Sequence, residues 1–211
     1  MKIIKYEHAC VIVEENNRTI IIDPGSLAIL PVLKNVDAII ITHIHGDHLD
    51  KSHLHKVIDS NPSVTIISHT EVLDQLTDIS CQKEVIDRGS HCTAGKFILD
   101  FYGHYHAVIN KLSPCHNVGV MVNESFYYPG DSFTVPEKPV FILALPVSGP
   151  WMKTGEAMDF VDLLKPKKVF PTHNELLSEF GAEVTYNWLK QATENVGAEW
   201  RSLRTGESFI I

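Results

Sequence analysis

Between Val36 and His48 the chain passes from a mostly apolar run, Val36 to Ile41, into His43-Ile44-His45-Gly46-Asp47-His48, which packs four potential metal ligands into six positions. An apolar run that does not alternate is the pattern of a strand buried on both faces. The polar segment therefore sits where a buried strand turns into a loop. Neighbouring imidazoles and a desolvated carboxylate gain little at such a place unless a cation holds them together. Metal chemistry where a buried strand ends is therefore the first expectation.

The flanking pattern supplies the rest of the layers. Lys2 to Tyr6, Ala9 to Glu14 and Arg18 to Ile22 are short β-branched runs, with a turn at Glu15-Asn16-Asn17 and a stop at Asp23-Pro24-Gly25. Asp50 to Asp59 has helical spacing, with Asp50 or Ser52 as N-cap. Val64 to Ser68, Lys96 to Tyr105, Val118 to Asn123, Ser125 to Tyr128, Val140 to Leu145 and Lys168 to Pro171 read as strands. Thr70 to Leu76, a segment capped by Thr154 and running to Leu164, and Ala182 to Asn195 read as helices. Two short strands, Trp200 to Leu203 and Ser208 to Ile211, close the chain. Strands dominate early and alternate with helices later, which predicts two sheets covered by helices on the outside, with an internal division near Val118.

At 211 residues the chain suffices for one domain spanning 1–211. Its formal charge of −8 argues against gripping a nucleic-acid backbone. No apolar run reaches membrane-spanning length and the N-terminus lacks a signal-peptide pattern, so the expectation is a cytoplasmic protein with a small-molecule substrate, no membrane partner and room for a homo-oligomer. Cys10, Cys81, Cys92 and Cys115 form no C-x-x-C pair and read as inert thiols. Twelve histidines are the compositional anomaly.

Three more strand ends carry metal-competent residues: Gly103-His104-Tyr105-His106, Tyr128-Pro129-Gly130-Asp131-Ser132 and Pro171-Thr172-His173-Asn174. Loops at one sheet edge can bring them into one cleft. If the Gly103 segment stays extended, His104 and His106 share a face and periodicity does not separate them. In order, type and spacing these segments, with Asp23-Pro24-Gly25, resemble the metallo-β-lactamase-fold hydrolases over essentially the whole chain. The stretch His106-Ala107-Val108-Ile109 with Asn117-Val118-Gly119 looks like their ascorbate-phosphate-lactonase-like branch.

That resemblance implies an α/β (α+β) fold, a four-layer αββα sandwich of two mixed β-sheets flanked by helices. It implies two divalent metal ions, Zn2+ first with Mn2+ or Fe as alternatives. His43, His45 and His106 would bind one ion and Asp47, His48 and His173 the other, with Asp131 bridging. His106 is favoured over His104 as the third ligand on the branch resemblance. Asp47 and Asp131 are then candidates to hold the proton of a bridging hydroxide, His104 and His8 to face the substrate, and Asp23 to orient a motif histidine. The implied activity is hydrolysis of a small-molecule ester, lactone or phosphoester. A nucleic-acid phosphodiesterase and a diiron redox protein are the alternatives. His53 and His55 are expected to face solvent, and His69, His91 and His116 to be loop polar residues. Trp151, in the loop Pro146 to Met152, is either a substrate wall or a cap on the core.

Overall fold

The computed structural model describes residues 1–111 and 114–211. Its elements run β1 (Lys2–Lys5), β2 (Val11–Glu15), β3 (Arg18–Ile22), β4 (Val36–Ile40), α1 (Lys51–Ser60), β5 (Thr65–Ser68), α2 (Thr70–Leu73), β6 (Gln82–Val85), β7 (His91–Ala94), β8 (Phe97–Tyr102), β9 (Gly119–Val122), β10 (Phe126–Tyr128), β11 (Ile142–Pro146), α3 (Thr154–Leu164), β12 (Lys168–Thr172), α4 (Glu179–Asn195), β13 (Glu199–Trp200) and β14 (Ser208–Ile210). They form two mixed sheets, ordered β14-β1-β2-β3-β4-β5-β6 and β13-β12-β11-β10-β9-β8-β7.

Side-chain alternation explains why both sheets are buried on both faces. In β3 Ile20 and Ile22 face the other sheet while Ile21 faces the helices. Ala38 and Ile40 against Ile39 repeat this in β4, and Val120 and Val122 against Met121 in β9. Successive strand residues point to opposite faces, so a run that is apolar on both has no solvent side. Three hydrophobic layers result: one between the sheets, built on Phe97, Phe101, Phe126 and Phe170, one under Leu54 and Val57 of α1, and one under Phe160 of α3 and Leu189 of α4. This is the expected four-layer sandwich.

Several boundaries differ from the sequence reading. The weakly apolar β6 and β7 were not signalled: their burial is partial, so composition carries little of the pattern. The chain changes sheet between β6 and β7, not near Val118. Lys153, not Thr154, is the N-cap of α3. Helix α4 begins at Glu179, where the Ser178 side chain accepts the Gly181 N–H. Asp50 caps α1 as expected, accepting the His53 N–H at 3.0 Å. Strands β3, β4 and β5 run parallel, so β4 and β5 end on the same edge, as do β10, β11 and β12 in the other sheet.

Candidate metal centre

At that edge the structure brings His43, His45, His106 and Asp131 together as one group, and His48, Asp131 and His173 as another. Asp47 and His8 adjoin His173. Asp131 stands between the two sets. Its Oδ2 lies 3.3 Å from His106 Nε2, 3.1 Å from His173 Nε2 and 4.0 Å from His43 Nε2, while Oδ1 lies 3.2 Å from His48 Nε2. Asp47 Oδ2 lies 3.2 Å from His173 Nε2 and 3.9 Å from His48 Nε2.

The surrounding hydrogen bonds fix which nitrogen of each ring faces inward. His48 Nδ1 donates to Asp23 Oδ2 at 2.6 Å, and His106 Nδ1 donates to the Ala107 carbonyl at 2.6 Å. Thr42 Oγ1 donates to Asp23 Oδ2 at 2.6 Å and therefore accepts from His43 Nδ1 at 3.0 Å. Each of these rings spends its Nδ1 proton outward and presents an Nε2 lone pair to the centre, the arrangement a metal-binding histidine needs. His43 Nε2 and His45 Nδ1 approach within 3.1 Å, a contact a shared cation would stabilise. His8 is different. Its Nδ1 accepts the Glu175 N–H at 3.2 Å, so its Nε2 is the donor to Asp47 Oδ2 at 3.1 Å, and it orients that carboxylate instead of offering a lone pair.

Energetics give the same answer. The approaches to Asp131 are short but their angles leave His48 Nε2, His106 Nε2, Asp131 Oδ1 and both ring nitrogens of His173 buried without a hydrogen-bond partner. At about 1–3 kcal/mol for each unsatisfied buried group, this set alone costs roughly what a whole domain has to spare. Metal ions held by the two groups would satisfy every one of these atoms except His173 Nδ1. Imidazole nitrogens with carboxylate oxygens form a donor set that fits divalent zinc. The residues present therefore fit the implied ions.

The balance of charges describes a centre short of positive charge. Burial disfavours a charged Asp131 carboxyl, but His48, His106 and His173 outweigh it and hold it well below the usual range. Burial likewise opposes protonation of His48, yet Asp131 and Asp23 keep that ring well above an ordinary histidine. His173, against Asp131 and Asp47, is raised to about 9 in spite of its burial. His43, fully buried and facing His48, is pushed well below the ordinary value.

The local backbone is shaped for these contacts. His8, Asp23 and His173 have φ of 54°, 49° and 58°, a left-handed conformation that costs a non-glycine residue free energy and clusters at functional sites. Gly25 lies against the backbone of Asp47 and His48, where a Cβ would collide with the Asp47 carbonyl. Gly130 has φ +62°, and a Cβ there would meet the Asn117 side chain, whose Oδ1 accepts the Asp131 N–H at 2.9 Å.

Some expected residues lie elsewhere. His104 is not among the residues brought together: Gly103, at φ +84°, turns the chain after β8, and His104 Nδ1 pairs with Asp87 at 3.0 Å. It packs against His116, which with Glu71 and His69 forms a separate cluster. There His69 Nδ1 accepts the Glu71 N–H at 3.0 Å and the His116 N–H donates to Glu71 Oε2 at 2.8 Å, while His69 Nε2 is buried without a hydrogen-bond partner. His53 is buried with Nδ1 3.1 Å from the Gly25 carbonyl, which corrects the solvent-facing expectation. His55 is exposed.

Residues with other expected roles, or none, complete the centre. Trp151 Nε1 donates to Asp131 Oδ2 at 2.8 Å, Ser148 Oγ donates to the His173 carbonyl, and Thr42 relays Asp23 to His43. Residues 2–173 match the model of the beta-lactamase superfamily domain. The chain belongs to the beta-lactamase superfamily. Among superfamily relatives, Protein Rv0786c of Mycobacterium tuberculosis is 26% identical over 200 residues, covering 92% of this chain and 93% of that protein. A UPF0173 metal-dependent hydrolase of Thermococcus kodakarensis is 26% identical over 185 residues, covering 79% and 81%. The solved structure of Igni18, a metallo hydrolase of Ignicoccus hospitalis, superposes with a TM-score of 0.77 at 23% identity over 99% of this chain and 97% of that one, a likeness of fold.

Proposed function

We propose that this beta-lactamase superfamily protein is a metal-dependent hydrolase with two divalent ions, zinc in first place, acting on a small-molecule ester, lactone or phosphoester. The observation that carries the reading is the position of Asp131, which lies within 3.3 Å of ring nitrogens from both histidine sets. His43, His45 and His106 would hold one ion, Asp47, His48 and His173 the other, and Asp131 both. Bound ions of this kind supply Lewis-acid activation of water and of an electrophilic carbonyl or phosphoryl oxygen.

The chain's own residues supply the rest. Asp47 is the member of the centre whose carboxylate reaches solvent, with its side chain 30% exposed. It is placed to take the proton of an attacking water, and the His8 Nε2–H fixes its orientation. Asp131, buried and tied to Trp151, stays ionised throughout. A formal charge of −8 favours a small substrate over a nucleic acid.

The test is a panel of nitrophenyl esters, lactones and bis-nitrophenyl phosphate on protein of measured metal content. Turnover of at least one class, scaling with bound metal and lost in Asp131→Ala, is the expected result. Metal-loaded protein inactive on every class would overturn the hydrolase reading, and two irons per chain with a visible spectrum would favour the redox alternative.

A further inference from the structure

Helix α4 buries Leu189, Ala192 and Thr193 against the sheet, yet its opposite face also carries large apolar side chains. Phe180, Val184 and Trp188 are 75%, 43% and 54% exposed, and Leu176 just before the helix is 58% exposed. The first three are spaced by four residues, so they form one continuous ridge along the solvent side. Scattered exposed apolar residues are ordinary, but a contiguous ridge on a helix whose other face is already packed marks an interaction surface.

The geometry points to a second copy of this chain as the occupant, docked antiparallel about a two-fold axis at Val184. Two observations carry this. The ridge is self-complementary: such an axis sets Phe180 against the partner's Trp188 and Val184 against its own equivalent, the isologous pairing a two-fold dimer requires, and ridges of this spacing interdigitate between helices. The area is sufficient. With about 150–250 Å² for each aromatic side chain, the four residues expose roughly 400 Å² of apolar surface, close to the apolar share of the ~800 Å² each partner contributes to a standard interface.

Sedimentation of the intact, metal-loaded protein at micromolar concentration tests this, and it does not depend on the hydrolase reading. The wild type is expected to be a dimer, and Phe180→Asp with Trp188→Asp a monomer with an unchanged circular-dichroism spectrum, since both positions are exposed. Val184→Cys, set against its own equivalent on the axis, should form an interchain disulfide on oxidation with diamide that the wild type does not form. A wild type that stays monomeric, or a dimer that survives the double aspartate variant, would overturn the proposal. Failure of Val184→Cys to cross-link would overturn the antiparallel pairing.

Discussion

Trp151 Nε1 donates to Asp131 Oδ2 at 2.8 Å, so the carboxylate shared by the two histidine sets is held by a neutral donor. The indole also packs against Phe133 and stands edge-on to His106 and His173. Trp151→Phe keeps most of that packing and removes the N–H. Partners that orient a metal-binding side chain are worth roughly 10–100-fold in affinity. The expected outcome in a chelator competition is a loss in that range, with the melting temperature of the metal-free protein little changed. Unaltered affinity would show that the bond does not position Asp131.

Asp23 acts on two candidate ligands at once, on His48 directly and on His43 through Thr42. Asp23→Asn keeps the shape but places an amide where a carboxylate accepts two protons. Metal binding to both sets should weaken together, by at least the Trp151 effect, while Thr42→Val should weaken the His43 set alone. Isotope-edited imidazole spectra would separate these, because each ring reports its own tautomer.

Gly25→Ala should damage the second set without touching a ligand. The added methyl meets the Asp47 carbonyl, and overpacking of this kind costs about 1–3 kcal/mol. Denaturant unfolding measures the loss, and reduced occupancy at Asp47 and His48 should accompany it.

Removal of the ions should make stability fall in alkaline solution. His173 is raised to about 9 and His48 well above the ordinary 6.5. Such rings stabilise the fold fully below the unfolded value, and their contribution is lost as pH rises through the folded one. The histidines shifted downward, such as His43, are neutral in both states above 6.5 and add no slope there. Metal-free protein should therefore melt at progressively lower temperature from about pH 6.5 to 9, and metal-loaded protein should show much less slope. A flat profile without metal would contradict the charge balance described for Asp131.

The layers and the clustering of the histidines and aspartates were legible because they rest on signals that survive in one sequence: non-alternating apolar strands, and histidine and aspartate at strand ends. The choice between His104 and His106 was not, since it turns on Gly103 leaving the extended conformation. The burial of His53 depends on a carbonyl supplied by the distant Gly25. Trp151 fell between two expected roles and took a third, because its partner Asp131 is twenty residues away on another strand end. Strands β6 and β7 escaped because their exposed faces dilute the apolar pattern.

The central claim is that Asp131 joins two metal ions in one centre. Anomalous diffraction from zinc-loaded crystals, with elemental analysis of the same protein, tests it most directly. The account predicts two ions per chain, one among His43, His45 and His106 and one among Asp47, His48 and His173, each within bonding distance of Asp131, and loss of both in Asp131→Ala. A single ion after full loading, or two that Asp131 does not touch, would contradict it.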